Sequence, residues 1–322
     1  MTAAVHDDGL VTIGLTCYNA ADTIERALTS AFVQDWPNVE ILIVDDASTD
    51  NSAEVVARVI DGRPNARLIR HETNAGPAAA RNTLLSAAKG SFLVFFDDDD
   101  EALPERVRQQ IDYLRDYEQR TGASLVACYA SGKRRYSSGY EMQLAAIGSR
   151  GDVAPHGRGV ADYLLLYRKE TGWFFGTGTP SCSLLARRST FEAVGGFDAG
   201  LRRVEDVDFA VRLALKGGHF IGTAEPLFVQ HSTSAQDKSP ERNLESELML
   251  VGKHRPYLES IGRYHYAANW PKLRYWHFKR RYGRFIVQFL NVLLRHPLTA
   301  SRHLLSTGPR RLLHEYRIKR GG

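Results

Sequence analysis

The sequence lacks most of what would send a chain out of the cell or across a bilayer. Its 322 residues contain only three cysteines, Cys17, Cys128 and Cys182. They are far apart, odd in number and free of metal-ligand spacing, which argues against a disulfide framework and fits a reducing compartment. The longest near-apolar run, Phe285 to Leu294, falls short of the roughly 20 residues that span a membrane. The opening MTAAVHDDGL has neither the basic segment nor the apolar stretch of a signal peptide. A cytoplasmic location is therefore expected. Internal repeats and low-complexity tracts are also missing, so a solenoid or a disordered chain is not expected.

Acid is absent from one region in particular. Between Lys272 and Arg320 there are 13 Lys/Arg and one acid, Glu315, which leaves 29 bases against 36 acids in the rest of the chain. The body is acidic and the tail strongly basic, a pattern that points to an anionic partner for the tail. In "WPKLRYWHFKRRYGRFIVQFLNVLLRHPL" the bases alternate with Trp270, Tyr275, Trp276 and Phe278. One reading is a helical packing arm whose bases face water; the other is an interfacial helix on an anionic membrane leaflet, which would make the protein peripheral to the plasma membrane on its cytoplasmic face. Nucleic acid would attract the same charge, but no nucleic-acid-binding motif accompanies it, and no such partner is expected.

What is present in the first 130 residues is an alternation of short apolar runs and longer amphipathic ones. "LVTIGLT", "VEILIVDD", "ARLIRH" and "SFLVFF" read as strands. Helices are expected from about Ala20 to Val33, from Asp50 or Asn51 onward, over "GPAAARNTLLSAAKG", and from Pro104 to Tyr117. This spacing predicts an α/β fold with a mainly parallel sheet and helices on both faces. Residues 131–158 read as a loop-rich insertion. Helices follow near Val160 to Tyr167 and over "EDVDFAVRLALKGG", the second closed by Gly217 and Gly218. The expected organisation is a short tail over 1–10, a domain over 11–235 with halves 11–130 and 131–235, and a basic helical extension over 236–322.

Polar residues gather where strands end: Thr16, Tyr18 and Asn19 after the first, Asp45 and Asp46 after the second, Asp97 to Asp100 after the fourth. Ligands of open parallel sheets bind outside these carboxyl ends. Four adjacent aspartates raise one another's pKa unless a cation compensates, and hard oxygen donors suit Mg²⁺ or Mn²⁺. A solvated acidic turn capping the next helix is the plainer alternative.

In this setting "FFDDDDEALPERV" resembles the metal-binding motif of the family-2 glycosyltransferases with the GT-A fold. "TCYNA", "VDDASTD", "NAGPAAARN" and "VGGFDAGLRRVEDVDFAVRLALKG" resemble further motifs of that family, in the same order. The resemblance runs from Val11 to about Ser234. It implies an inverting, nucleotide-sugar-dependent hexosyltransferase of glycan or glycoconjugate synthesis, with a UDP-sugar as donor, Mn²⁺ or Mg²⁺ as cofactor and a glycan or lipid-linked acceptor. It implies that Thr16, Tyr18, Asn19, Asp46 and Arg81 bind the nucleotide, that Asp97 and Asp98 approach ribose or metal-bound water, and that Asp99 binds the metal. His231 is a further metal candidate and also a candidate structural histidine. Thr16 and Asp98 depart from the family's commoner residues.

Asp206 is implied as the general base, with Glu205 supporting it; Glu205 and Asp208 share a helix face that Asp206 does not, and Asp208 reads as helix N-terminal charge. Gly178, Thr179 and Pro180 fall where the family lines the donor sugar and acceptor. Trp173 could stack on a sugar, although an aromatic triplet more often joins the core. A nucleophilic role for Cys182 has no support. The same first-half carboxylates would also serve a sugar nucleotidyltransferase or a non-catalytic nucleotide-sugar or membrane-binding module. "VEDVDF" is what a sugar transferase needs in addition.

Overall fold

Strands with no polar interior position need cover on both sides, and the fold supplies it. The computed structural model describes residues 9–231 and 239–306. In chain order the elements are β1 (Val11–Cys17), α1 (Ile24–Phe32), β2 (Val39–Asp45), α2 (Ser52–Ile60), β3 (Ala66–Arg70), α3 (Pro77–Ala87), β4 (Phe92–Asp97), β5 (Glu101–Ala102) and α4 (Arg106–Thr121). Then come β6 (Val126–Arg135), β7 (Glu141–Leu144), α5 (Gly157–Leu166), β8 (Leu184–Arg187), α6 (Arg188–Val194), α7 (Glu205–Leu215) and β9 (His219–His231). The described chain continues with α8 (Pro240–Lys253), α9 (Arg255–Ser260), α10 (Tyr264–Phe278) and α11 (Tyr282–Arg295), and residues 297–306 are also helical. Among the described residues no helix is long and apolar enough to cross a membrane.

The strands form one sheet in the order β3-β2-β1-β4-β8-β6-β9-β5, with β7 paired to β6. β1 to β4 are parallel, whereas β8 runs antiparallel between β4 and β6. The period-2 alternation of a strand sorts side chains between two cores. Ile13, Leu15, Phe92, Val94 and Phe96 belong to the core that α1 and α4 cover through residues such as Leu28 and Ile111. On the opposite face Phe95 meets Phe191 and Phe197 edge-on, at 5.5 and 5.7 Å between ring centroids. There Leu84 of α3 lies so close over Gly14 that a Cβ would come within 3.0 Å of its methyl. Truncating a ring such as Phe95 to Ala would cost about 3–5 kcal/mol.

Several elements depart from the sequence reading. α1 starts at Ile24 rather than Ala20, because residues 21–23 form a turn. α4 starts at Arg106, not Pro104, so Pro104 and Glu105 sit in the turn before it. Its first turn is held by the segment after α1: the Gln34 side chain donates to Leu103 O and accepts from Val107 N. The segment expected to be loop-rich contains the end of β6, which continues to Arg135 and pairs with β7. Register shifts against β9 near Ser131, together with Ser131 contacts to Thr223 and Ala146, explain why no clean alternation marks this strand.

Two compact units share the described chain. The first comprises 9–136, 141–161 and 170–231; the second comprises 137–140, 162–169 and 239–306. The expected boundary between 235 and 236, and the basic residues beyond 306, lie outside the described residues. In the second unit Ser239 caps α8 by accepting from Arg242 N, and Pro240 occupies the first turn, where its missing N–H is harmless. The core of this unit is built from Leu166, Val251, Leu258, Tyr266, Leu273 and Val292.

Candidate active site

The sheet order places a switch point between β1 and β4, since β2 and β3 extend to one side of β1 and β4 lies on the other. A crevice opens outside such a point at the carboxyl ends of the strands. Thr16 of β1 is in register with Asp97 of β4, and Cys17 with Asp45 of β2. The chain segments leaving β1 and β4 therefore face each other, and the Tyr18 amide donates to Asp98 Oδ2 at 3.0 Å. Tyr18 itself is 47% exposed. Asn19, in left-handed backbone at φ 50°, donates to Ser48 Oγ and accepts from Thr49 N, tying the first strand end to the second.

Asp46 is buried, and its oxygens are engaged by His71 Nδ1 at 2.7 Å and by the amides of Ala75 and Gly76 at 2.9 and 2.7 Å. Gly76 has φ +91°, a conformation that costs glycine little. In this state Asp46 organises the loop that enters α3.

The four aspartates divide by depth. The ligand atoms of Asp97, Asp100 and Cys182 lie within 4.8 Å of one another, while Asp99 stands outside that group, half-buried, with its main-chain oxygen accepting from Arg26 Nη2 at 2.6 Å. The sequence reading singled out Asp99 and left Asp100 undecided. Both Asp100 carboxylate oxygens are buried. Burial and then the neighbouring aspartate charges push Asp98 and Asp100 up to about 8, and burial also raises Asp97. A carboxylate buried among its own kind, offset only in part by the Arg106 charge and the His231 backbone, is the environment that a hard divalent cation relieves. The carboxylates of this group, though not the sulfur, are hard donors of the kind a divalent cation such as Mg²⁺ or Mn²⁺ takes. The Cys182 thiol is pushed well above its usual range by burial, then by Asp97 and Asp100, which keeps it neutral and excludes a thiolate nucleophile.

One resident cation already sits beneath the cluster. Arg106, 1% exposed, donates from Nη2 to Phe95 O and Cys182 O and from Nε to Gln110 Oε1, with its guanidinium 4.4 Å from the Phe96 ring centroid. Burial lowers its pKa only to about 10, so it stays charged near neutrality. Sequence reading missed Arg106. Its only trace is the i, i+4 pair Arg106 and Gln110, two polar residues on the inward face of an amphipathic helix.

His231 ends β9, half-buried, its Nε2 3.7 Å from a Glu101 carboxylate oxygen. Burial and then Arg26 lower its pKa, which favours the neutral imidazole that can ligate a metal.

The second acidic group stands at the start of α7. Arg81 of α3, itself buried, donates from Nη1 to Glu205 Oε1 at 2.6 Å and holds Nη2 3.9 Å from Asp97 Oδ1. It thus bridges the end of β4 and the start of α7. Asp208, read from the sequence as helix N-terminal charge, is fully buried and paired with Arg212 at 2.8 Å. Asp206 keeps a half-exposed side chain, accepts from Val207 N, and is pushed up to about 7 by burial, then by Glu205, against the opposing pull of Arg81. Val204, just before this pair, adopts φ 58° and ψ 19°. A β-branched residue in that region is strained, at an order of 1–3 kcal/mol.

The segment assigned to the sugars divides. Gly176, at φ +52°, lies where a Cβ would come within 2.1 Å of Ala145 O, so only glycine fits. Gly178, at φ +92°, is half-buried with open space where a Cβ would stand. Thr179 is buried with its hydroxyl unpartnered, and Pro180 leads into the single 3₁₀ turn Ser181–Ser183. Trp173 packs on His156 at 5.0 Å and leaves no room for a Cβ on Gly159, so in this structure it is a packing residue.

A family model described as Glycosyl transferase family 2 matches residues 12–189. The succinoglycan biosynthesis protein ExoO of Rhizobium meliloti is 42% identical over 102 residues, 32% of this chain and 29% of that protein. A UDP-Glc:alpha-D-GlcNAc-diphosphoundecaprenol beta-1,3-glucosyltransferase of Escherichia coli, WfaP, is 36% identical over 105 residues, 33% of this chain and 41% of that protein. These matches span less than half the length of either relative. Residues 1–349 of S. aureus TarS, crystallised with UDP, share the fold with a TM-score of 0.58 and 18% identity, over 85% of this chain and 73% of that one. The family match takes in more than half of the chain, from β1 to the start of α6, and the protein belongs to glycosyl transferase family 2.

Proposed function

We propose that the chain transfers a sugar from a nucleotide sugar, a UDP-sugar by preference, to a hydroxyl of a glycan or lipid-linked acceptor, in a metal-dependent reaction that inverts the anomeric carbon. The observation that carries this reading is the meeting of two acidic groups, the aspartates at the end of β4 and the Glu205–Asp206 pair that starts α7, with Arg81 bridging Asp97 and Glu205. WfaP is named for a UDP-Glc donor and a diphosphoundecaprenol-linked acceptor, ExoO for succinoglycan synthesis, and TarS has been crystallised with UDP and with UDP-GlcNAc. Those names support a UDP-sugar donor and a surface-polysaccharide setting here.

In this scheme Thr16, Tyr18, Asn19, Asp46 and Arg81 hold the nucleotide, with Asp97 and Asp98 toward the ribose. Asp99, the half-exposed aspartate, would be a direct ligand of Mn²⁺ or Mg²⁺, with Asp97 and Asp100 as the negative charge beneath it and neutral His231 as a further donor. When bound, the cation would neutralise charge on the departing diphosphate. Asp206, with a pKa of about 7, suits a general base near neutrality. It accepts the acceptor hydroxyl proton as that oxygen bonds to the sugar C1 and the bond from C1 to the diphosphate breaks, releasing UDP. The Glu205–Arg81 pair fixes the start of α7 while this occurs. Gly178, Thr179 and Pro180 border the sugars. The basic tail would hold the enzyme at an anionic membrane surface, which a lipid-linked acceptor requires.

The test is UDP release from a panel of UDP-sugars, with and without Mn²⁺, by the full chain and by Asp206→Asn. Metal-dependent release, lost in the variant while UDP binding persists, is expected. Pyrophosphate release from a nucleoside triphosphate and a sugar phosphate, with no reaction of any nucleotide sugar, would overturn the reading in favour of a nucleotidyltransferase. Binding without any turnover would reduce the protein to a nucleotide-sugar module.

A further inference from the structure

The sequence directs attention to the aromatics of α10 as membrane contacts, but these are engaged inside the second unit. Trp270 stacks on His303 at 3.8 Å and packs with Tyr266 at 5.4 Å. Tyr275 donates to Glu241, and Trp276 lies under the Arg284 guanidinium. Of the four aromatics named from the sequence, only Phe278 is exposed. The surface that is left uncovered belongs to the next helix.

α11 has two apolar faces. Phe285, Phe289, Val292 and Leu293 pack into the core of the unit. A second row, Tyr282, Ile286, Leu290 and Leu294, recurs every fourth residue and so forms one stripe along the helix. These side chains are 58, 56, 49 and 83% exposed, and Val287 beside them is 70% exposed. From Tyr282 to Leu294 the stripe is about 18 Å long at the ~1.5 Å rise of an α-helix. A helix that only packs on a core needs no such second face. The charge around it has one sign: no acid occurs from Ser260 to Ser306. Lys279 and Arg274 are paired with Glu241 and Glu247, whereas Arg281, Arg284 and Arg295 have no carboxylate partner among the described residues. An exposed apolar stripe on a helix whose Arg281, Arg284 and Arg295 have no carboxylate partner among the described residues matches a surface with an apolar interior and an anionic rim. A second copy of the same face would bring those guanidinium groups together and be repelled.

We propose that α11 is an in-plane membrane anchor, its Tyr282, Ile286, Leu290 and Leu294 stripe entering the acyl boundary while Arg281, Arg284 and Arg295 meet anionic headgroups. This deepens the peripheral-membrane part of the proposed function by assigning the contact to one helix face, and it does not depend on the chemistry of the cleft.

The experiment is flotation of the full chain with vesicles of phosphatidylcholine alone and of phosphatidylcholine mixed with phosphatidylglycerol. Wild type should float with the anionic vesicles and leave them as salt rises. The surface variant Ile286→Ser/Leu290→Ser/Leu294→Ser should bind about tenfold or more weakly while keeping the wild-type melting temperature and the wild-type rate on a soluble acceptor or on donor hydrolysis. Asp206→Asn should float like wild type, so a failure of the enzymatic reading is distinguishable from a failure of the anchor. The proposal is overturned if wild type ignores anionic vesicles, if the triple variant floats as well as wild type, or if sedimentation shows a dimer that the triple variant makes monomeric and vesicles play no part.

Discussion

The two units concentrate opposite charges, and each bends its titrating groups toward neutrality. In the α/β unit, burial and neighbouring carboxylates raise Asp97, Asp98, Asp100 and Asp206. In the helical unit, burial and neighbouring arginines or lysines lower His265, His296 and His303. The consequences differ because the partners differ. His303 is satisfied where it lies, accepting at Nδ1 from Tyr266 and stacked between Trp270 and Tyr167, so its neutral form is simply core. Asp100 is buried beside Asp97 and Asp99, and the Arg106 charge and the His231 backbone offset only part of that repulsion, so its pKa stays raised. Charge that the fold answers is structural, and charge that it leaves unanswered marks where function enters.

The largest expected effect breaks the acidic side of this comparison at the base. Asp206→Asn keeps the shape and removes proton acceptance, and turnover should fall by about 10²–10⁴ with UDP affinity nearly unchanged, as read by product formation and calorimetry. In wild type a base with a pKa of about 7 must be ionised to act, so turnover should rise with pH through that value and level off above it. Unaltered turnover in Asp206→Asn would remove the residue from its role. Next in size is Arg106→Met, which leaves Asp97 and Asp100 over an uncharged cavity. It should lose about 3–5 kcal/mol of stability in urea unfolding, and Arg106→Lys should recover part of it. A loss under about 1 kcal/mol would mean the cluster does not need its internal cation.

These two residues also mark how far the sequence was legible. Asp206 is visible as one of a carboxylate pair at the start of a helix, although its role as base comes from the family resemblance; the aspartates that end β4 are visible too, as are strands such as "FLVFF", apolar at every position because both faces are covered. Arg106 is hidden because its meaning lies in carbonyls supplied by Phe95 and Cys182, the second of them 76 residues away. The antiparallel insertion of β8 is hidden for a similar reason: four residues, "LLAR", show no direction until they pair with β4 and β6. In the tail, composition displays bases and aromatics but not which aromatics are consumed by partners, so α10 drew the attention that α11 holds in the structure.

The pH responses of the two units should be opposite. Asp98 and Asp100 titrate at about 8 in the fold against 3.8 for an ordinary aspartate. The metal-free fold holds protons that the unfolded chain releases, so this contribution is whole below pH ~4 and lost as pH rises through 8. A cation binds the ionised form, so the rise in melting temperature on adding Mn²⁺ should be larger at about pH 8.5 than at about pH 6. An equal shift at both would place the ion elsewhere. In the helical unit His303 titrates at about 3 against 6.5, so its contribution is whole above pH ~6.5 and lost as pH falls toward 3. Amide exchange, corrected for its intrinsic pH dependence, should show α10 loosening on acidification, and His303→Phe should remove most of that response. An unchanged acid response in the variant would assign it to other groups.

The smallest effect isolates strain from charge. Val204 holds a left-handed conformation immediately before Glu205 and Asp206. Val204→Gly relieves the side-chain clash but frees the unfolded chain, and the two nearly offset, so the melting temperature should move by no more than a few tenths to about 1 kcal/mol equivalent. Turnover is where the change should register. With the entry to α7 no longer pinned from the backbone, Asp206 is held only through the Arg81–Glu205 contact, and kcat should fall several-fold while KM for the donor stays constant. Val204→Asn, a residue that tolerates this region, should retain most of the rate. If glycine and asparagine behave alike and both match wild type, the strain at Val204 is incidental, and positioning of the base rests on Arg81 alone.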